Sequence, residues 1–273
     1  MSPAMSIDQH LCDVLESFDE TADPRLTEVL RSLVSHLHAF VVETGLTREE
    51  WMTGIEFLTA TGQKCDDRRQ EFILLSDTLG VSMLVEMVNQ HSSDGATEPT
   101  VLGPFYVANA PERAMGESIA AEDAGGDPVV ISGVVRSARG EPLSGAILEV
   151  WQVTPEGLYD VQDPTIAPMS HRGLFRTGDD GKFEVRSTVP VDYQIPTDGP
   201  VGTMLRAAGR ASWRPAHTHF MVSHPGYKTV ITHVFDAASP HLGSDAVFGV
   251  RDSLAVDFST GATFFDFVLD PIE

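Results

Sequence analysis

The chain has 273 residues, 42% of them apolar, an ordinary globular share that speaks against disorder. Its 18 Lys and Arg against 40 Asp and Glu leave a formal charge of −22 with no basic run, which excludes nucleic acid and anionic membrane as partners. No segment reaches the apolar length that spans a bilayer, so no membrane insertion is expected. The N-terminus has neither a basic n-region nor an apolar h-region, so it does not read as a signal peptide. Cys12 and Cys65 lack metal-type spacing and read as reduced thiols, which implies a cytoplasmic protein.

The first hundred residues or so read as helical. Leu26, Val29, Leu30, Leu33, Val34, Leu37 and Val41 recur at three- and four-residue spacing, one apolar stripe on a helix. Asp23 before Pro24 predicts its N-cap and Gly45 its stop. Thr47-Arg-Glu-Glu50 is a capping-box pattern that opens a second helix with Trp51, Ile55 and Leu58 on one face. A third helical stretch is expected from near Arg68, carrying Phe72, Leu75, Leu79, Met83 and Val88.

After Ser92-Ser93-Asp94-Gly95 the pattern changes to short β-type runs separated by Gly, Pro and Asp. The runs are 129–135, 146–152, 182–189, 217–223 and 228–235. A helical block followed by many short strands predicts the α+β class, with a β-sandwich or barrel as the second part. The expected domains are residues 1–98 and 99–273.

Arg214-Pro-Ala-His217-Thr-His219-Phe is the local signal that stands out. On a strand, His217 and His219 would share a face, about 7 Å apart at their backbones, and could converge on one metal. Alone, His-x-His is equally compatible with a zinc hydrolase or with a purely structural pair. His10, His36, His38, His91 and His241 show no such pairing and read as surface or core residues. Of the four tyrosines, Tyr159 and Tyr193 read from spacing alone as half-buried aromatics.

Six motifs in fixed order extend from Thr100 to about Leu269: Thr100-Val-Leu-Gly-Pro-Phe-Tyr106, Gly133-Val-Val with Pro142 to Trp151-Gln, Tyr159-Asp, Phe175-Arg-Thr-Gly-Asp-Asp-Gly-Lys-Phe183, Tyr193-Gln-Ile-Pro196 and the His-x-His run. Together they resemble the catalytic domain of the intradiol ring-cleavage dioxygenases, and the N-terminal helices resemble the catechol-type branch. The resemblance implies a β-sandwich catalytic domain behind a helical dimerisation domain. It also implies one Fe(III) per chain, held by Tyr159, Tyr193, His217 and His219. Phenolate, a hard anion, suits ferric iron, whereas zinc more usually takes His, Cys or carboxylate. The implied reaction opens an aromatic diol or triol with O2. Tyr193 would take a substrate proton, and Arg214 would stabilise negative charge on the ring. A homodimer through the N-terminal helices is implied, with room for a bound phospholipid at its interface.

His233 stands where the familiar catechol enzymes of the family have glutamine. With Ser244-Asp-Ala-Val-Phe-Gly-Val250 and Leu74-Leu-Ser-Asp77-Thr-Leu-Gly80, it makes the chain look more like the hydroxyquinol branch. Asp77 is then expected beside the extra ring hydroxyl, as a hydrogen-bond acceptor. The expected pocket walls are Leu74, Val101, Gly103, Pro104, Phe105, Ile195 and Pro196, with Arg214 and His233 also facing the substrate. A catechol or chlorocatechol enzyme with the same iron site, a zinc hydrolase, and a non-enzymatic β-sandwich binding module are the competing readings.

Overall fold

A computed structural model describes residues 6–89, 93 and 95–272. His91 and two residues of the expected transition, Ser92 and Asp94, lie outside the described residues. The chain divides into two compact units, Met1–Thr59 and Ala60–Glu273. Among the described residues no helix is long and apolar enough to cross a membrane.

The first unit starts with α1 (Ile7–Glu16), which the sequence reading had not separated out. Ser6 caps it by accepting a bond from the Gln9 amide at 3.1 Å. α2 (Pro24–Thr44) has the expected ends: the Asp23 carboxylate accepts from the Arg25 and Leu26 amides, and Gly45 closes it at φ 59°. Arg31 on α2 donates to the Leu15 carbonyl at 2.8 Å, tying the two helices together. The capping box before α3 (Arg48–Gln63) is reciprocal, with Glu50 N–H donating to Thr47 Oγ1 and Thr47 N–H to the Glu50 carboxylate.

The third helical stretch begins later than expected and is broken. Asp66 accepts from the Arg68 and Arg69 amides, which turns the chain there instead of starting a helix. α4 (Glu71–Thr78) and α5 (Val81–Asn89) follow, separated at Gly80, whose φ of 73° ends α4.

The rest of the second unit is a β-sandwich. Its strands are β1 (Pro128–Ser137), β2 (Ile147–Trp151), β3 (Arg172–Arg176), β4 (Lys182–Thr188), β5 (Tyr193–Gln194), β6 (Trp213–Arg214), β7 (His217–Ser223), β8 (Val230–Asp236), β9 (Ala255–Val256), β10 (Ala262–Phe264) and β11 (Phe267–Leu269). The five expected runs are β1, β2, β4, β7 and β8, within two residues at each end. One sheet is built on β1, which pairs with β4, β10 and β11. The other runs β3-β2-β7-β8-β9. Val129, Ile131, Val135, Phe183 and Val185 from the first sheet form one buried cluster with Leu148, Val150, Phe220, Val222 and Val234 from the second. Between β5 and β6 lies α6 (Pro200–Ala207), a short helix that the Pro- and Gly-rich sequence had concealed.

Two-residue periodicity gives the five-stranded sheet two different faces. Leu148 and Val150 of β2, Phe220 and Val222 of β7 and Val230 and Val234 of β8 point into the core. Trp151, His219 and His233 are opposite one another across β2, β7 and β8 and point the other way, together with His217.

β1 also contains a position that only glycine can fill. A Cβ on Gly133 would come within 1.8 Å of the Phe265 carbonyl oxygen. Gly133→Ala should therefore force β1 away from the Phe265 backbone between β10 and β11 and lower stability by about 1–3 kcal/mol, read from urea unfolding. A loss under about 1 kcal/mol would show that this backbone approach can relax.

Candidate iron centre

The outward face of the five-stranded sheet forms the floor of the site. His217 and His219 of β7 bring their Nε2 atoms within 3.1 Å of each other. His217 Nδ1 meets the Pro215 carbonyl at 2.6 Å; donating there fixes the tautomer and leaves Nε2 its lone pair. The His219 ring stacks on Trp151 at 4.6 Å, and its Nδ1 is buried without a hydrogen-bond partner. Burial and the nearby Arg214 charge push the His217 pKa well below the usual histidine range. Burial, His217 and Arg214 do the same to His219, so both rings are neutral donors at pH 7.

The two phenols arrive from separate segments. Tyr159 lies in the β2–β3 connection, with Phe105 stacked on it at 4.7 Å. Its Oη is 3.0 Å from His219 Nε2 and 3.3 Å from Tyr193 Oη. Tyr193 is placed by the two-stranded ribbon of β5 and β6, in which it is directly opposite Arg214. Burial, and then Tyr193, raise the pKa of the Tyr159 phenol well above its ordinary value, with Arg214 and Arg172 opposing. Ionising the Tyr159 phenol beside a second buried phenol requires a strong positive charge at the point where the four atoms meet. Two neutral imidazoles and two buried phenols are a donor set that fits a hard trivalent cation and not a typical zinc site.

Asp160, next to Tyr159, accepts from Arg172 Nε and Nη2 at 2.8 and 2.6 Å in a buried ion pair. The Arg172 guanidinium carbon is 5.9 Å from the Tyr159 ring centroid. Sequence reasoning had quoted Tyr159-Asp only as a motif and had missed Arg172. The pairing of Trp151 with Arg172 across β2 and β3 is what brings this cation beside Tyr159.

His233 completes a cluster of three imidazoles whose nitrogens lie within 4.8 Å of one another. Its role differs from that of the other two. Nδ1 is hydrogen-bonded with Thr100 Oγ1, and Nε2 faces Arg214 Nη1 and Nη2 at 3.5 Å each. Among the described residues no carboxylate joins this cluster, so the acidic third ligand of the zinc reading is not found there.

Arg214 is buried at 3% exposure, and its Nη1 is 3.5 Å from Tyr193 Oη and 3.4 Å from His217 Nε2. Asp77 on α4 is also buried, and its Oδ1 has no hydrogen-bond partner. Burial raises the Asp77 pKa; Ser82 and Arg214 lower it and Asp245 raises it further, so Asp77 lies within the field of the Arg214 pair. Phe105, Tyr193, Ile195 and Pro196 line a cleft of about 670 Å³. A Cβ on Gly103 would touch His219 Cε1 at 3.5 Å. Leu74 and Val101 are buried and Pro104 is half-buried, and none of the three lines that cleft.

Comparison with known proteins gives the same class as this geometry. Residues 101–271 match the family model described as Dioxygenase, and residues 23–97 match Catechol dioxygenase N terminus. The chain therefore belongs to the intradiol ring-cleavage dioxygenases, an iron-dependent family, in its catechol-type branch. It is 50% identical to 6-chlorohydroxyquinol 1,2-dioxygenase of Cupriavidus pinatubonensis, over 94% of this chain and 95% of that protein. It is 48% identical to hydroxyquinol 1,2-dioxygenase of a Rhizobium species, over 90% and 83%. The crystal structure of hydroxyquinol 1,2-dioxygenase from Pseudomonas putida superposes with a TM-score of 0.89 at 46% identity, covering 97% of this chain and 99% of that one.

Proposed function

We propose that the protein opens the ring of hydroxyquinol (benzene-1,2,4-triol) with O2, breaking the bond between the two adjacent hydroxyl-bearing carbons. Both oxygen atoms enter the product, 3-hydroxy-cis,cis-muconate, which tautomerises to maleylacetate. The observation that carries this reading is the convergence of Tyr159 Oη, Tyr193 Oη, His217 Nε2 and His219 Nε2 beside a buried arginine. These four residues would hold one Fe(III) per chain, which when bound supplies the Lewis acidity that binds the diol and draws on the electrons of its ring. Tyr193 Oη is the acceptor for one diol proton. Arg214, which approaches that oxygen, stabilises negative charge as it develops on the ring. Phe105 and Trp151, packed on Tyr159 and His219, keep water from the reacting face.

Substrate choice rests on Asp77. Its unpartnered buried oxygen supports a role as acceptor for the third hydroxyl. Leu74, Val101, Gly103, Pro104, Phe105, Ile195, Pro196 and His233 would complete the pocket. A site built to accept a hydrogen bond penalises an analogue that lacks the hydroxyl by about 1–3 kcal/mol.

We further propose that residues 1–98 are the dimerisation domain, with 99–273 catalytic, and that the protein works in the cytoplasm. Leu26, Val29, Leu33 and Leu37 on α2 are 44–52% exposed, an apolar stripe that supports a homodimer, with a phospholipid as a further occupant of that interface.

Three measurements test this reading. Metal analysis should find about one iron per chain and a red-brown tyrosinate colour; stoichiometric zinc in a colourless protein would overturn it. Hydroxyquinol should be turned over at least about tenfold more efficiently than catechol, and Asp77→Ala should narrow that preference with iron content unchanged. A preference for catechol or a chlorocatechol in the parent would overturn the branch assignment. Sedimentation at micromolar concentration should show a dimer, and a monomer there would remove the role given to α2.

A further inference from the structure

We infer that Asp245 is a positioning residue for the ring-opening step, acting through Arg214; this rests on the reading proposed above. The Asp245 carboxylate takes the Nε–Nη2 edge of Arg214 side-on, at 3.1 Å to Oδ1 and 3.4 Å to Oδ2. Both side chains are almost wholly buried, at 4% and 2% exposure. A guanidinium is a rigid fork, so holding one edge decides where the remaining N–H groups point. Here they point at Tyr193 Oη, His217 Nε2 and His233 Nε2.

Asp245 is itself held in place. The Val247 amide donates to Oδ1 at 3.3 Å and the Gly249 amide to Oδ2 at 2.9 Å, closing the loop around the carboxylate. Phe248 between them adopts φ 61°, a conformation that non-glycine residues seldom take, and the Arg210 guanidinium covers its ring at 4.9 Å. Arg210 also donates to the Thr78 carbonyl at the end of α4 and to the Ala246 carbonyl. The loop that orients Arg214 is thereby fastened to the helix that carries Asp77. A Cβ on Gly249 would lie 3.3 Å from both Arg214 Nη2 and Asp245 Oδ2, so a side chain there would push the pair aside by a few tenths of an ångström.

The arrangement predicts a defect in turnover more than in binding. Charge builds on the ring only as the reaction proceeds, so an arginine aimed at that charge acts on kcat. In Asp245→Asn, kcat per bound iron should fall roughly 10- to 100-fold while KM stays within about threefold. In an Arg214→Lys background the same substitution should add less than about twofold, because Arg214 is the group through which Asp245 acts. Gly249→Ala keeps both charges and displaces the pair by tenths of an ångström; its kcat should fall several-fold, again with KM held.

Iron content, tyrosinate colour and thermal midpoint are measured on each variant. A kcat per iron within twofold of the parent in Asp245→Asn, or an undiminished effect of Asp245→Asn in the Arg214→Lys background, would overturn the inference. If Asp245→Asn does not fold, Gly249→Ala alone and with Arg214→Lys decides by the same criteria. Failure of the functional reading is distinguishable, since the parent itself would then lack iron or fail to turn over hydroxyquinol and catechol.

Discussion

Strand side chains alternate between two environments, and β2, β7 and β8 use that alternation to do two jobs at once. Leu148, Val150, Phe220, Val222 and Val234 build the sandwich core on one side. Trp151, His217, His219 and His233 build the floor of the site on the other. Displacements of the sandwich are therefore felt at the histidines, and a one-residue slip of β7 would turn the His217 and His219 imidazoles into the core. The backbone contact at Gly133 and the close-packed core matter for function for this reason.

The site is assembled by charge balance as much as by geometry. Arg214 and Arg172 are buried, and each has its own carboxylate, Asp245 and Asp160. Burial lowers the Arg214 pKa, but the Asp245 charge and hydrogen bond together with the two nearby tyrosines outweigh it and keep the guanidinium protonated. Two compensated cations beside two phenols lower the cost of phenolate formation without requiring a net positive cavity in a strongly acidic protein. Asp77 is another buried carboxylate; burial raises its pKa, and its Oδ1 has no hydrogen-bond partner.

Much of this was legible in the chain itself. The caps at Asp23, Gly45 and Thr47 act locally, so α2 and the start of α3 are found where short-range rules put them. Strands β1, β2, β4, β7 and β8 are long enough to carry a pattern, and His-x-His on a strand implies a shared face without further information. Tyr159 and Tyr193 had no local signature; resemblance singled them out, and the fold brings their oxygens within 3.3 Å of each other. β3 escaped because a buried Arg172 reads as a surface residue until its partner Asp160 is seen. The third helix was read as continuous because its apolar spacing runs across Gly80, and only the backbone there shows the break.

The sequence by itself determined what nearest neighbours decide: caps, strand periodicity, the acidic surface and the pairing of His217 with His219 on one face. Only the tertiary structure decided which distant groups meet. Tyr193 and Arg214 are brought opposite each other by a two-residue ribbon, and Arg214 reaches Asp245 across 31 positions of chain. Thr100 finds His233 across 133 positions. Contacts of this kind depend on how sheets stack and loops close, and nothing in the local composition around any one of these residues records it.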